Sequence, residues 1–439
     1  MFPRLALDRQ VVTTLHDQVL HLLLELRAPS TPTADRPPLD LVVVIDRSGS
    51  MRGAPLRSVT EATAQLLRLA GPDDRIGVVT FDDTAHTVLP LDRHDGSTAG
   101  DRIRAIDSGG STNLSAGWLR ALDHLITARR PGALSRILVL TDGEVNVGVT
   151  DHDSLATMVA GGAAQGITSS FIGFRDGFDE HLLSVLADAG RGNDYWCADS
   201  DQAMVVFGTE FQGLAAVVAQ NVTVVVRPGS TVATVEDLAA LPTVARTDGA
   251  TELSLGDAYG DELRRVVLAL HLRPIPGDGD VEVGTIEIRW VDVAGDVALH
   301  SVTLPVIITA DQAAGATGAV VLDPEVTEHV VRLRADQERR RAREAWDRGD
   351  EISSIALMQS AGNFLRSSER ILPDELLRLD IETGLMASRT FDAAAAKRMH
   401  SGMRSRAKGR NLEFERREPA GTNQADPDQA DPDQADPNR

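Results

Sequence analysis

Oxygen-bearing side chains occur in three short segments whose spacing could place them around one hard metal cation. The first segment is Asp-Arg-Ser-Gly-Ser at positions 46–50, directly after the apolar run Leu41–Ile45. If that run is a buried strand, Asp46 lies at its carboxyl end, the edge at which open α/β sheets bind ligands. Asp, Ser and Gly are also common in turns, so this segment needs support from the other two.

The other two segments lie in equivalent places farther along the chain. Gly-Gly-Ser-Thr-Asn at positions 109–113 precedes a helical pattern, and its Thr112 hydroxyl could approach the first segment. Thr-Asp-Gly-Glu at positions 141–144 follows the apolar run Ile137–Leu140, which again puts a carboxylate, that of Asp142, at the carboxyl end of a strand. Alone, the threonine segment is an ordinary helix cap. Together, the three segments predict a metal site.

The elements that must position these segments alternate between strands and helices from residue 39 to residue 216. Apolar side chains recur at three- and four-residue steps in Leu56–Ala70 and Leu114–Leu125, as one buried face of a helix requires, and Trp118 belongs to such a face. This alternation predicts an α/β domain with a doubly wound, mostly parallel sheet. The predicted strands are Leu41–Ile45, Ile76–Phe81, Ile137–Leu140, Thr168–Phe174 and Tyr195–Ala198.

The three segments, in this order, resemble the metal-ion-dependent adhesion site of von Willebrand factor type A domains. The resemblance covers residues 40–216 and implies a Rossmann-like fold that holds a divalent cation. It further implies that Ser48, Ser50 and Thr112 bind the cation directly, whereas Asp46 and Asp142 act partly through water. The implied metal ligands are Asp46, Ser48, Ser50, Thr112 and Asp142.

The chemistry of these side chains suits Mg²⁺, a hard cation that takes six oxygen ligands at about 2.0–2.1 Å. Mn²⁺ and Ca²⁺ remain alternatives. Because two carboxylates only balance the ionic charge and the hydroxyls are neutral, an Asp or Glu of a partner protein is the expected final ligand. The chain lacks the Gly-Lys-Ser/Thr ending of a phosphate-binding loop, and its histidines lack zinc-site spacing, so no catalytic residue or further cofactor is predicted.

Sequence on both sides of the α/β domain alternates with a period of two, which is typical of antiparallel strands. The Pro-, Gly- and Asp-rich stretch Pro274–Asp280 is predicted to be a hairpin loop between two of them. We predict that residues 1–38 and 217–310 form a β-sandwich and that the domain at 39–216 is inserted into it. This arrangement is similar to bacterial proteins with an inserted domain of this type, to inter-alpha-trypsin inhibitor heavy chains and to vesicle coat proteins.

The C-terminal part of the chain differs again in composition. Residues 320–418 are rich in helix formers and poor in β-branched residues, which predicts several packed helices. The run Arg339–Arg341 is expected to be a solvated helix face rather than a binding patch. Residues 419–439 repeat Gln-Ala-Asp-Pro and carry no apolar side chain larger than Ala, so this tail is expected to be disordered.

The overall composition disfavours several classes of partner and indicates where the protein is located. A formal net charge of −21 disfavours binding to nucleic acid or to an anionic membrane surface. No apolar run approaches the ~20 residues of a membrane helix. Arg4, Asp8 and Arg9 stand where a secretory signal would need apolar residues, so a cytoplasmic protein is expected. The single cysteine, Cys197, is expected to fill space in the core.

Several functions fit this interpretation, of which a metal-dependent protein-binding scaffold or adaptor is favoured. A sharper form makes the chain the substrate-recruiting companion of a separate AAA+ ATPase, since it has no ATPase motif itself. A third alternative is that the metal is structural or regulatory and that the Arg-rich helices or the acidic tail contact the partner. A metal-dependent hydrolase would need a general base, for which Glu144, Asp82 and Asp83 are candidates. Such acids are commonly exposed loop residues, so we predict that the protein is not an enzyme.

Overall fold

The computed structural model describes residues 1–14, 16–30, 37–174, 177–197, 206, 216–293, 298–314, 320–368 and 372–408. The tail at 419–439 lies outside the described residues. The strands are β1 (Phe2–Leu7), β2 (Val11–Val12), β3 (Gln18–Arg27), β4 (Leu39–Asp46), β5 (Arg75–Phe81), β6 (Ala85–Asp92), β7 (Leu134–Thr141), β8 (Ile167–Phe174), β9 (Arg191–Cys197), β10 (Val217–Pro228), β11 (Val232–Asp237), β12 (Thr243–Ala245), β13 (Thr251–Tyr259), β14 (Leu263–Leu272), β15 (Gly279–Asp292) and β16 (Ala298–Ala310). The helices are α1 (Ala54–Leu69), α2 (Gly96–Arg104), α3 (Leu114–Thr127), α4 (His152–Ala164), α5 (Glu180–Ala189), α6 (Pro324–Asp347), α7 (Glu351–Arg366), α8 (Pro373–Ala387) and α9 (Ala393–Ala407).

An open sheet with the strand order β6-β5-β4-β7-β8-β9 forms the middle of the chain. Its neighbouring strands are parallel except for β6, which runs antiparallel to β5. The central strand β4 is buried along its whole length, as expected for a strand covered by helices on both faces. Trp118 of α3 is fully buried and donates a hydrogen bond to Ser169 Oγ at 3.0 Å, so its predicted place in the core is confirmed. The predicted doubly wound α/β fold is also confirmed.

Two strands of this sheet differ from the prediction. Strand β6 was not predicted, because among its side chains only Leu89 and Leu91 are buried. It is an edge strand, where Pro90 is tolerated because one side of the strand needs no ladder partner. Strand β9 begins at Arg191, well before the predicted Tyr195, because its first residues are polar and carry no apolar pattern. Its predicted last residue, Ala198, lies outside the described residues.

Strands from both sides of the α/β domain form two further sheets around one shared core. One sheet has the order β1-β3-β14-β11 and the other β12-β13-β10-β15-β16-β2. Strand β3 pairs antiparallel with β14, with Leu22 opposite Leu268, so the N-terminal strand does pair with strands from beyond the inserted domain. All pairings are antiparallel except that between β16 and the short strand β2. The predicted antiparallel β component is thereby confirmed.

The stretch Pro274–Asp280 is not a hairpin loop, and that prediction was wrong. Strand β14 before it pairs with β3 and β11, whereas β15 after it pairs with β10 and β16. The stretch therefore carries the chain from one sheet of the sandwich to the other. Its Pro, Gly and Asp residues signal a change of direction, but they do not determine which sheet the next strand joins.

A buried ion pair fixes the α/β domain to the sandwich. Arg136, near the amino end of β7, is 1% exposed and pairs with Asp257 of β13. Strand β7 runs from this junction to Thr141, which at a rise of about 3.3 Å per residue lies roughly 17 Å away. The carboxyl edge of the sheet, which carries the predicted metal residues, therefore faces away from the sandwich.

The C-terminal helices α6 to α9 pack around a core of their own. Arg339 is not a solvated residue, so the prediction for Arg339–Arg341 was wrong at this position. Arg339 shares a helix face with the buried Ala335 and Ala342, and its guanidinium donates to Glu382 at 2.5–3.0 Å. Arg341 points away from this core and is exposed, as predicted. Within the described residues, no helix is long and apolar enough to cross a membrane.

Candidate metal centre

The first loop of the site begins where β4 ends at Asp46. This carboxylate is fully buried, and its two oxygens accept hydrogen bonds from the Ser48 backbone N–H at 2.8 Å and the Thr141 hydroxyl at 2.6 Å. The chain then makes a 3₁₀ turn over Gly49–Met51 before α1. Met51 is fully buried and anchors this turn in the core. The loop therefore keeps Asp46 buried and places Ser48 and Ser50 in the turn that follows it.

The two serines connect the first loop to the carboxyl end of β7. Ser48 Oγ lies 3.0 Å from Ser50 Oγ, and the Ser50 hydroxyl donates to Asp142 Oδ1 at 2.6 Å. Ser48 and Asp142 are buried, whereas Ser50 is exposed. Two side chains that are 92 residues apart thus meet directly, and the site opens to solvent on the side of Ser50.

The third loop carries Thr112 and is pinned to the first loop by backbone hydrogen bonds. Gly109 N–H donates to the Arg47 carbonyl at 2.7 Å, and Gly49 N–H donates to the Gly110 carbonyl at 3.2 Å. Thr112 is buried, and its N–H donates to Asn146 Oδ1 at 2.9 Å. These bonds fix the position of the Thr112 hydroxyl in the site.

The side-chain oxygens converge in front of Gly143, the residue after Asp142. A Cβ placed on Gly143 would lie 3.2 Å from Thr112 Oγ1, 3.3 Å from Ser50 Oγ and 4.0 Å from Asp46 Oδ2. All five residues predicted from the sequence therefore lie together at the carboxyl edge of the sheet. Their donor atoms are hydroxyl and carboxylate oxygens, which fit a hard divalent cation. That these residues ligate a metal stays a prediction.

Two residues that orient these side chains, Thr141 and Asn146, were not predicted from the sequence. Thr141 holds Asp46, and Asn146 holds the backbone of Thr112. Thr141 is part of the Thr-Asp-Gly-Glu segment, so its position beside Asp142 was a usable signal. Asn146 contacts a residue 34 positions away and belongs to no local pattern, so its role could not be predicted from the sequence.

Burial and the nearby charge of Asp142 raise the pKa of Asp46 to about 6, although hydrogen bonds from Thr141 and Ser48 oppose this rise. A proton and a cation then compete for the same carboxylate, since a ligand must lose its proton to bind metal. We expect Mg²⁺ affinity to be nearly constant above pH 7 and to fall by about tenfold per pH unit below pH 6. Calorimetric titration with Mg²⁺ from pH 8 to pH 5 measures this directly. A flat affinity over that range would contradict the prediction.

Two of the three acids considered as general bases, Asp82 and Asp83, make other contacts in the loops. Burial raises the pKa of Asp82, but the Thr84 backbone N–H and the Arg47 guanidinium outweigh burial and hold the pKa below its usual value. Asp83 accepts a hydrogen bond from the Ser111 N–H at 3.1 Å, and Glu144 is exposed. A carboxylate with a lowered pKa is a weak proton acceptor. Asp82 is therefore a structural partner of Arg47.

Two adjacent glycines in the third loop provide a matched test of the geometry. Gly110 has φ +67°, and a Cβ there would lie 2.7 Å from Asp83 Oδ2 and 2.8 Å from Asp82 Cβ. We expect Gly110→Ala to destabilise the protein by about 1–3 kcal/mol and to weaken Mg²⁺ binding, because Thr112 moves with the loop. A Cβ on Gly109 meets no atom within 4 Å, so Gly109→Ala serves as the control. Thermal unfolding and Mg²⁺ titration of both variants test this, and equal behaviour would refute it.

The fold and the site together define an open α/β domain with a cluster of hydroxyls and carboxylates at the carboxyl edge of a mostly parallel sheet. Residues 40–208 match the family model of the von Willebrand factor type A domain, and the chain contains a domain of this family. The domain family identified from the three sequence segments is thereby confirmed.

The relatives extend beyond this domain. An uncharacterised protein of Synechocystis, sll0103, is 27% identical over 338 residues, which cover 74% of this chain and 78% of the relative. Several other curated relatives are matched over 36% or less of their own length.

Two solved structures share the fold. A von Willebrand factor type A protein from Catenulispora acidiphila superposes with a TM-score of 0.67 at 17% identity, covering 86% of this chain and 88% of that one. The ArnB paralog VWA2 from Sulfolobus acidocaldarius superposes with a TM-score of 0.61 at 16% identity, covering 93% of this chain and 98% of that one. Because the superpositions span most of each chain, the shared fold includes regions outside the α/β domain.

Proposed function

We propose that the protein is a metal-dependent protein-binding scaffold or adaptor and not an enzyme. In this proposal, one divalent cation, Mg²⁺ in the first instance, is held at the carboxyl edge of the sheet, and an Asp or Glu of a partner protein completes its coordination. The residues that would hold the cation are Asp46, Ser48, Ser50, Thr112 and Asp142.

The observation that carries the proposal is the convergence of hydroxyl and carboxylate oxygens in front of Gly143, at an edge that is open beside Ser50. Both carboxylates, Asp46 and Asp142, lie inside and are buried. A partner would thus approach from the exposed side, where Ser50 presents a hydroxyl. An incoming acidic side chain meets less repulsion there than it would at an exposed carboxylate.

The charges of the site favour an acidic ligand once a cation is present. A bound divalent ion would supply an electrophilic centre whose charge the two carboxylates balance but do not exceed. Thr141 and the backbone of Ser48 hold Asp46 in place, and Asn146 holds Thr112. These contacts orient the ligands before binding, so a partner carboxylate meets a site that is already assembled.

A capture experiment tests the proposal. The full chain is immobilised and exposed to lysate in Mg²⁺ or in EDTA, and bound proteins are quantified by mass spectrometry. Asp46→Asn removes one carboxylate of the site, whereas Glu144→Gln removes an exposed acid at the same edge. We expect specific partners in Mg²⁺ with the wild type and Glu144→Gln, and their loss in EDTA or with Asp46→Asn. Identical partners under all four conditions would overturn the proposal.

A further inference from the structure

A buried lysine joins the C-terminal helices to the α/β domain. Lys397 of α9 has a side chain that is 3% exposed. Its ammonium donates to the Phe178 carbonyl at 2.7 Å and to Glu180 Oε2 at 2.8 Å, and it lies 3.8 Å from the centroid of the Phe178 ring. A buried ammonium needs such partners because leaving it unpaired costs several kcal/mol. Lys397 therefore fixes the segment Gly177–Glu180 to α9.

The same segment lies directly against the candidate metal centre. A Cβ on Gly177 would lie 2.7 Å from the backbone oxygen of Asp142, so the two backbones are in close contact. The Phe178 ring covers Gly173, where a Cβ would lie 2.3 Å from the ring. Gly173 is paired with Thr141, whose hydroxyl holds Asp46. The segment Gly177–Glu180 thus supports the end of β7 on one side and is held by Lys397 on the other.

A second helix, α6, forms an ion pair with the same segment. Arg343 of α6 donates to Glu180 Oε1 at 3.0 Å, while Lys397 binds the other oxygen of that carboxylate. Burial raises the pKa of Glu180, but hydrogen bonds from Lys397 and its own backbone outweigh burial and lower the pKa to about 2. The Glu180 carboxylate is therefore ionised at neutral pH. Arg404 of α9 and Lys408, the residue after α9, pair instead with Asp188 and Asp194, which lie outside this segment.

We propose that the C-terminal helices regulate the metal centre, with Lys397 as the positioning residue that couples α9 to Asp142 through the segment Gly177–Glu180. Docking of α9 holds the segment against Asp142 and favours cation binding. By thermodynamic linkage, a bound cation stabilises the docked helix to the same extent. A partner that pulls α9 away lowers the affinity of the site for its cation. This inference rests on the metal binding in the proposed function.

The experiment uses the full chain and compares Lys397→Met with Lys408→Met. Lys408 pairs with Asp194 near the end of α9, so its loss tests a neighbouring ion pair that does not involve the segment. We expect Lys397→Met to weaken Mg²⁺ binding by about tenfold, as is typical of coupled sites, and Lys408→Met to change it by less than about twofold. Calorimetric Mg²⁺ titration gives both values.

Hydrogen exchange of the wild type tests the coupling even if a variant fails to fold. We expect Mg²⁺ to slow the exchange of α9 amides in the wild type. In a folded Lys397→Met variant, we expect this slowing to be lost. A wild type that binds Mg²⁺ with unchanged α9 exchange would overturn the coupling alone, as would a folded Lys397→Met variant with wild-type affinity. A wild type that binds no divalent cation would overturn the proposed function, and the coupling with it.

Discussion

Replacing Asp46 by asparagine is expected to weaken Mg²⁺ binding by about 100-fold and to leave the metal-free protein at least as stable as the wild type. The first effect follows because Asn is uncharged and leaves the cation with one carboxylate, that of Asp142. The shape of the side chain is kept, and one amide oxygen can still accept the Ser48 N–H. Thr141 can rotate its hydroxyl to accept from the new amide.

The second effect follows from the pKa of Asp46. Burial raises it to about 6, so the folded state favours the protonated carboxyl. The stability that this group contributes is present below the pKa of the unfolded chain, near 4, and is lost as the pH rises through about 6. At pH 7.5 the ionised carboxylate therefore opposes folding, by an amount of up to roughly 3 kcal/mol. Asn removes that cost.

Two measurements check this prediction. Calorimetric titration with Mg²⁺ gives the affinity, and thermal unfolding in EDTA gives the stability of the metal-free protein. Glu144→Gln is the control and should match the wild type in both, because Glu144 is exposed. Loss of metal binding together with a large loss of stability would show that Asp46 is mainly structural. Unchanged metal binding would remove Asp46 from the site.

Removing Asp336 is expected to have the largest effect on the C-terminal helices. Asp336 is 2% exposed and accepts hydrogen bonds from Arg406 at 2.6 and 2.8 Å and from Arg339 at 2.9 Å. Asp336→Ala leaves two largely buried guanidiniums without this shared carboxylate. Breaking a buried ion pair by removing one partner costs about 3–5 kcal/mol. We therefore expect the free energy of unfolding of helices α6 and α9 to fall by about 3–5 kcal/mol.

Hydrogen exchange locates this effect better than a single unfolding curve, because a chain with several cores need not unfold in one step. Amides of α6 and α9 should exchange much faster in Asp336→Ala, while those of β4 and β7 keep their protection. Arg341→Ala is the matched control, since Arg341 is 66% exposed and its pair with Glu338 is worth little. Equal exchange in the two variants would contradict the assigned role of Asp336.

The candidate site could be located from the sequence because each of its segments adjoins a strand or helix with a clear apolar pattern. Asp46 and Asp142 follow two buried strands, and Thr112 precedes the helix that contains Trp118. Parallel strands bring their carboxyl ends to one edge, so these residues had to meet once the fold was assigned. Only the fold class was needed to place them.

Other features could not be predicted because they depend on partners far away in the sequence. Arg339 and Lys397 are residue types that normally lie at the surface. Their burial depends on Glu382 and Glu180, which are 43 and 217 positions away. The passage of the chain from one sheet to the other at Pro274–Asp280 could not be predicted either. Turn residues mark a change of direction, but they do not determine the sheet in which the next strand pairs. No local pattern carries this information.

We propose that five side chains hold one divalent cation and leave one coordination position for an acidic ligand. A crystal structure of the full chain with Mn²⁺, with anomalous diffraction to locate the metal, tests it most directly. We expect one anomalous peak at roughly 2 Å from the hydroxyl oxygens of Ser48, Ser50 and Thr112, with a carboxylate from acetate or a neighbouring chain on the side of Ser50. A crystal with Mn²⁺ bound elsewhere, or with no peak among these oxygens, would contradict the account.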